Sequence, residues 1–261
     1  MQNSYFTSTT EGFEPHPRAR GPWAADMLHG RLLGGLAAHV LEQNHGRSQW
    51  RVARLTVDLF RPAAMAPVQV ETSPVREGRR VVVADALLTC DSHLVGRATA
   101  VFLPATEEPP GHIWRPEPSV WPDPDTLPVP PADQIGPDDE GWMFRGVSGG
   151  FSTGERSRVW TNDTVNLIDG LPMSPLVRAA VSGDIACPIA NSSDQGLYYI
   201  NADYTMLIGR YPEGGWVGIE VDKQISADGI SIASATLVDR KGPFATSGGS
   251  SLARPPLEIP G

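Results

Sequence analysis

Residues 77–104, EGRRVVVADALLTCDSHLVGRATAVFLP, and residues 228–255, DGISIASATLVDRKGPFATSGGSSLARP, align without a gap. Gly78 falls on Gly229 and Pro104 on Pro255 at one offset. Each segment reads as a glycine turn, a strand, a second turn (near Asp91, and at Lys241-Gly242) and a second strand. Working outward, residues 51–62, RVARLTVDLFRP, alternate Leu55, Val57 and Leu59 with Arg54, Thr56 and Asp58, the period of a strand with one buried face. Residues 195–212, QGLYYINADYTMLIGRYP, form the corresponding strand. Both end on an arginine and a proline, Arg61-Pro62 and Arg210-Tyr211-Pro212. A helix precedes each. In RLLGGLAAHVLEQ (31–43), Leu32, Leu33, Leu36, Val40 and Leu41 recur at three- and four-residue spacing. In SPLVRAAVSGDIA (174–186), Ser174 is the N-cap and Pro175 the first helical residue. Gly34 and Gly35 cost the first helix about 1 kcal/mol each relative to alanine, so they mark close packing against another backbone.

A repeated order of helix and strands implies an internal duplication. One helix covers one face of an antiparallel sheet. The expected architecture is therefore α+β, with two antiparallel sheets each wrapped on a central helix and related by a pseudo-two-fold, units that can pair side by side and share a continuous sheet. The ligand cleft is expected where the halves meet. Prolines crowd residues 104–137, which excludes helix and central strand there. The expected division is 1–104, a proline-rich linker over 105–140, and 141–261. Trp114 and Trp121 are candidates to pin the linker down.

The 261 residues carry a formal net charge of -9 and 40% hydrophobic residues, enough for a core and the wrong sign for nucleic acid. No apolar stretch approaches a membrane span, and MQNSYFTSTTEGFEP has neither the basic start nor the apolar run of a secretory signal. Cys90 and Cys187 are distant and unpatterned, as expected of buried free thiols in a cytoplasmic protein. The six histidines form no HxH or HExxH cluster, so no metal or other cofactor is expected.

Residues 21–42, GPWAADMLHGRLLGGLAAHVLE, resemble the opening of double-hotdog acyl-CoA thioesterases, in which Pro-Trp precedes a His-Gly-Gly or Phe-Gly-Gly at the first central helix. SPLVRAAVSGDIA, INADYTMLIGRYP and ISADGISIASATLVDRKGP resemble three blocks of that family's second half. The likeness runs from about Gly21 to Pro255. It implies hydrolysis of an acyl thioester, on coenzyme A or a carrier protein, with water activated by an aspartate. A threonine or similar residue and a glutamine assist, and helix N-terminal amides polarise the carbonyl. Oligomeric state stays open.

Carried over by residue, the aspartate falls on Asp184, beside the apolar Val181, Ile185 and Ala186; pairing with Arg178 is the competing role. The threonine position is Asn201, with Asp203 in reserve on the same strand face. The glutamine position is Gly249, a departure from the family, with Ser247, Ser250 or Ser251 as substitutes. Without that glutamine, hydrolysis of ordinary linear acyl-CoA is expected to be slow, and restoring it at 249 to raise turnover. Gly30 keeps the family's first glycine and is the candidate oxyanion donor. The second glycine is replaced by Arg31, which either reaches a ligand anion or lies in solvent. His29 is a ligand contact or the helix-start cap. Two other readings remain: a non-hydrolytic tailoring enzyme of dehydratase or cyclase type in a biosynthetic pathway, and a non-catalytic acyl-ligand binder.

Overall fold

A computed structural model describes residues 3–24, 26–117, 119–130 and 141–254; Pro255, the end point of the repeat, lies outside them. The chain opens on a hairpin, β1 (Ser4–Thr9) and β2 (Gly12–Pro15), followed by α1 (Gly30–His45). Four strands follow: β3 (Trp50–Leu59), β4 (Val68–Glu77), β5 (Val82–Cys90) and β6 (His93–Pro104). Beyond the connecting segment come β7 (Trp142–Ser148), β8 (Arg158–Asp163) and β9 (Asn166–Ile168), then α2 (Pro175–Gly183) and α3 (Ala186–Ala190). The chain continues with β10 (Ser192–Ser193), β11 (Gly196–Leu197), β12 (Tyr199–Asn201), β13 (Asp203–Ile208), β14 (Val217–Ala227), β15 (Ile230–Asp239) and β16 (Gly242–Ala253).

The turns lie where the sequence puts them. Gly78 follows β4, and Asp228-Gly229 joins β14 to β15 with both residues at positive φ, 51° and 77°. Asp91-Ser92 joins β5 to β6 in the same left-handed conformation. Ser174 caps α2, its hydroxyl accepting the Val177 N–H at 3.2 Å. The single helix expected over 174–186 is broken at Asp184. Pro188 has no N–H to give the Asp184 carbonyl, and its ring crowds that turn. Gly183 also packs so tightly on β13 that a Cβ there would lie 2.9 Å from Met206 Cγ. The strand expected over 195–212 is divided at Tyr198 and Ala202 into β11, β12 and β13.

The sheets of the two halves join edge to edge into one continuous sheet, as side-by-side pairing of the units implies. The strand order is β7-β8-β14-β15-β16-β13-β3-β6-β5-β4-β2-β1-β9, with β12 pairing with β16 as well. β3 and β13 would each be an unpaired edge in a separate half, and here they satisfy one another's backbone groups. Thr56 lies opposite Thr205 at this seam, their hydroxyls 3.0 Å apart. Outward from it the order is β6-β5-β4 on one side and β16-β15-β14 on the other. The pairing is antiparallel except for β1 with β9. Helix α1 covers β4, β5 and β6, while α3 covers β14, β15 and β16. The helices α1 and α2 lie antiparallel: Ser174, at the start of α2, donates to Glu42, in the last turns of α1, at 2.6 Å. Gly34 and Gly35 of α1 admit side chains, not the backbone expected. A Cβ on Gly34 would overlap the Tyr204 hydroxyl, and one on Gly35 would lie 3.3 Å from Leu167.

The sheet curls until its ends meet. β8 ends at Asp163 and β9 begins at Asn166, yet they belong to opposite ends of the strand order. At under ~3.6 Å per residue the intervening chain spans only about 10 Å. The meeting point is hydrogen-bonded: Tyr5 Oη, from β1, lies 2.6 Å from Asp163 Oδ1 and 3.0 Å from the Gly141 carbonyl. Arg31 enters from α1, donating to Asp163 at 2.8 Å and to Tyr5 Oη at 2.9 Å, with its guanidinium over Trp142 at 4.6 Å. Arg31 and Asp163 are both buried. Asp163→Ala strands this cation, and a loss of about 3–5 kcal/mol in a urea titration is expected. Adding Arg31→Met should recover most of it. A loss under about 1 kcal/mol for Asp163→Ala alone would show that closure does not depend on the pair.

Candidate active site at the helix junction

Asp184 occupies the break between α2 and α3 and is 3% exposed. Asn201 is the last residue of β12, and its Nδ2 donates to Asp184 Oδ1 at 2.8 Å. Neither side chain makes another hydrogen bond among the described residues, which leaves one carboxylate oxygen, one amide oxygen and one N–H for a ligand or water. Burial raises the Asp184 carboxyl to about 6, against the Asn201 hydrogen bond and the nearby Arg31 charge, which lower it. Arg178 does not pair with Asp184; it points to Asn162 Oδ1 and the carbonyls of Asp163 and Gly215.

The start of α1 is linked to this pair through Leu59 and through the Arg31 charge. A Cβ on Gly30 would lie 3.3 Å from Leu59 Cδ1, and the Leu59 N–H donates to the carbonyl of Ala202, next to Asn201. The amides of Gly30 and Arg31 head the helix, where the backbone ladder has no acceptor for them. Arg31 is neither in solvent nor free to take a ligand anion by its amino groups, which Asp163 and Tyr5 occupy. Burial opposes its charge, and Asp163 and Tyr5 outweigh burial and raise its pKa. His29 is the N-cap residue of α1, but its side chain makes no cap bond; it packs edge-on against Trp142 at 6.1 Å. Burial, then the Arg31 charge, lowers the imidazole to about 3, so it is neutral at physiological pH.

The remaining candidates are committed elsewhere. Asp203 begins the next strand and turns to β16, where it accepts from the Ser250 N–H at 3.1 Å and from the Ser250 hydroxyl. It does not share the Asn201 contact, because the strand is interrupted at Ala202 and the shared face is lost. Ser247 Oγ donates to the Gly183 carbonyl at 2.7 Å, and Ser251 Oγ accepts from Asn191 Nδ2 at 3.3 Å. Gly249 cannot stand in for a glutamine: a Cβ there would overlap the Asp203 carbonyl oxygen and lie 3.0 Å from its carbon. A side chain at 249 requires the Asp203 carbonyl to move, which counts against the expectation that glutamine there raises turnover.

Sequence reasoning missed Tyr5, Asp163 and Trp142, whose partners are far away in the chain. It also missed a buried polar row under β14 to β16. There Asn191 Oδ1 accepts from Ser231 at 2.5 Å and from Gln224 at 3.3 Å. Residues 146–150, GVSGG, have the lettering of a nucleophile elbow. Ser148, however, ends β7 opposite Arg158 in an antiparallel pair, not in the strand-to-helix turn that chemistry needs. A shallow hollow lined by Glu108, His112 and Trp114 in the connecting segment shares no residue with this site. Of the two expected anchors of that segment, Trp114 is 78% exposed, while Trp121 packs on Trp160 at 4.8 Å.

Comparison with known proteins identifies the fold and the family. The hotdog fold is shared with solved structures of low identity. A tesB protein of Mycobacterium avium subspecies paratuberculosis is 17% identical over 90% of this chain and 94% of its own, with a TM-score of 0.67. The acyl-CoA thioesterase II TesB2 of Mycobacterium marinum is 19% identical over 87% and 90%, with a TM-score of 0.65. A protein of unknown function with a hot dog fold from Alicyclobacillus acidocaldarius is 18% identical over 91% of each chain, with a TM-score of 0.69. No curated protein sequence matches. Residues 19–103 match the acyl-CoA thioesterase N-terminal domain and residues 111–248 the C-terminal domain, so the chain belongs to the acyl-CoA thioesterase family and is a thioesterase-like hydrolase. No helix among the described residues is long and apolar enough to cross a membrane.

Two outcomes follow from the packing. The folded-state pKa of Asp184 lies above its ordinary value, so its contribution is most favourable below about pH 4 and is lost as pH rises through about 6. Asp184→Asn should therefore match wild type at pH 4 and exceed it by about 3 kcal/mol at pH 8 in denaturant titrations. A gain equal at both pH values would refute the buried-carboxylate assignment. Gly249→Ala should lower the melting temperature and, by shifting the β12–β13 junction, the activity. Any rise in turnover from Gly249→Ala or Gly249→Gln would contradict the contact with Asp203.

Proposed function

We propose that the chain hydrolyses an acyl thioester, of coenzyme A or a carrier protein, at Asp184 and Asn201. The observation that carries this reading is the direct Asn201–Asp184 hydrogen bond on a buried carboxylate. The resemblance to double-hotdog enzymes supports the finer architecture: two hotdog units over 1–104 and 141–261, pseudo-two-fold about the Thr56–Thr205 seam, joined by residues 105–140. Free, buried Cys90 and Cys187 fit a reducing, cytoplasmic setting.

Water held between the free Asp184 oxygen and the Asn201 carboxamide attacks the thioester carbonyl carbon. Asp184 takes the water's proton, and the carbonyl oxygen becomes an oxyanion facing the amides of Gly30 and Arg31. On collapse the C–S bond breaks, and the proton passes from Asp184 to the departing thiolate, giving a carboxylic acid and a thiol. His29, neutral, shields the helix start from solvent. With Gly249 lacking any side chain to fix the water, turnover of ordinary linear acyl-CoA is slow. Losing one placed polar contact costs on the order of 2–4 kcal/mol of transition-state stabilisation.

The test is steady-state hydrolysis across acyl chain lengths. The rate should rise with pH as Asp184 ionises, with a midpoint near 6 on kcat/KM. Asp184→Asn should abolish it, and Asn201→Ala should lower kcat by about 100-fold with a smaller effect on KM. If wild type hydrolyses no thioester, a tailoring enzyme or an acyl-ligand binder becomes the better reading. A rate unaffected by Asp184→Asn would move the chemistry elsewhere.

A further inference from the structure

The loop before α1 folds onto the helix start. The Gly21 N–H donates to the Met27 carbonyl at 2.7 Å, and a Cβ on Gly21 would lie 3.0 Å from His29 Cα. Trp23 belongs to this loop, and the guanidinium of Arg254 stacks over its ring, 5.0 Å from the centroid. Arg254 immediately follows β16, and its N–H donates to the Tyr198 carbonyl just ahead of β12 at 2.8 Å. Three residues earlier on β16, Ser251 stands opposite Asn201. At a strand rise of roughly 3.4 Å per residue, Arg254 begins about 10 Å along the sheet from the Asn201 rung. The Trp23–Arg254 contact thus joins the loop at the head of α1 to the end of the last strand, across the junction that holds Asp184.

Several arginines of the chain are held by carboxylates. Arg31 is paired with Asp163, Arg210 with Asp239, Arg240 with Asp125 and Arg158 with Glu220. Arg254 has no carboxylate partner among the described residues, and its Nε is buried without a hydrogen-bond partner. A guanidinium held over an indole is oriented, while its remaining N–H groups are open to a two-point contact with an oxyanion. The whole-chain charge does not oppose this. Residues 105–140 carry nine carboxylates and one arginine, so nearly all of the net -9 lies in the connecting segment and the rest of the chain is close to neutral.

We propose that Arg254, oriented by Trp23, is the subsite for a phosphate of the thioester's pantetheine-bearing group. The acyl end lies at Asp184, and the phosphate reaches the guanidinium at the end of β16. This rests on the thioester reading of the Asp184 site and adds to it the part of the molecule that is recognised. The phosphate has two sources, the nucleotide of coenzyme A and the phosphopantetheine arm of a carrier protein.

The experiment compares one acyl group on coenzyme A, on a carrier protein and on pantetheine, which has no phosphate. Arg254→Gln is expected to raise KM for acyl-CoA about tenfold or more with kcat nearly unchanged, the size of one lost charge-assisted contact. KM for acyl-pantetheine should stay within about twofold, and Arg254→Lys should regain part of the loss, as a point charge without the two-point geometry. Weakening of both acyl-CoA and acyl-carrier protein places the contact on the arm's own phosphate; weakening of acyl-CoA alone places it on the nucleotide. An unchanged KM for acyl-CoA, or an equal rise for acyl-pantetheine, overturns the proposal while leaving the hydrolase reading intact. Should wild type hydrolyse none of the three, that reading has failed. Calorimetry with coenzyme A then decides the subsite: weaker binding by Arg254→Gln than by wild type supports it, and no binding, or equal binding, overturns it.

Discussion

The ion pair between Arg31 and Asp163 holds the two ends of the sheet against the head of α1. Without a counter-charge a guanidinium in that position would carry a desolvation cost of several kcal/mol. With Asp163, Tyr5 and the Trp142 ring around it, the charge is held in place and the loop of strands closes over both helices. The same closure fixes where α1 begins. It thereby fixes the amides of Gly30 and Arg31 relative to Leu59, and through Leu59 relative to the strand that carries Asn201. A buried cation that looks structural is also felt electrostatically at Asp184.

Local signals in the sequence were strong wherever one residue type dictates one geometry. The alternation in β3, the glycine turns at 78 and 229 and the Ser174 cap are all found in the structure, because each depends on neighbours within a few positions. That the halves share a sheet could be expected, but not that β3 and β13 are the strands that join them. Alternation tells which face of a strand is buried but not which strand lies beside it. The hairpin of β1 and β2 and the pair of β7 and β8 left only weak patterns, being short and at the ends of the sheet. Arg31 was ambiguous for a different reason. Its partner lies 132 positions away, in TNDTVN, a stretch with no periodicity to suggest a buried aspartate.

In the candidate site, Asp184 and Asn201 were legible because a recognisable block surrounds each. The interruption at Ala202 was not, and it separates Asp203 from Asn201 and directs the two side chains to different partners. At Gly249 the sequence suggests a missing side chain, whereas the fold shows a position with no room for one. The Asp203 carbonyl occupies the space a side chain at 249 would take.

The closure also orders events in time. A ribosome delivers Tyr5, Arg31 and the whole of β3 long before it reaches Asp163, Asn166 or β13. Until then the nascent first half holds a cation with no counter-charge to accompany it into the core, and an open β3 edge able to pair with the same edge of another copy. Although the two halves repeat one plan, neither is an autonomous module. Separating them at the connecting segment would leave each with an unpaired edge strand, and the first half with Arg31 as its unneutralised centre.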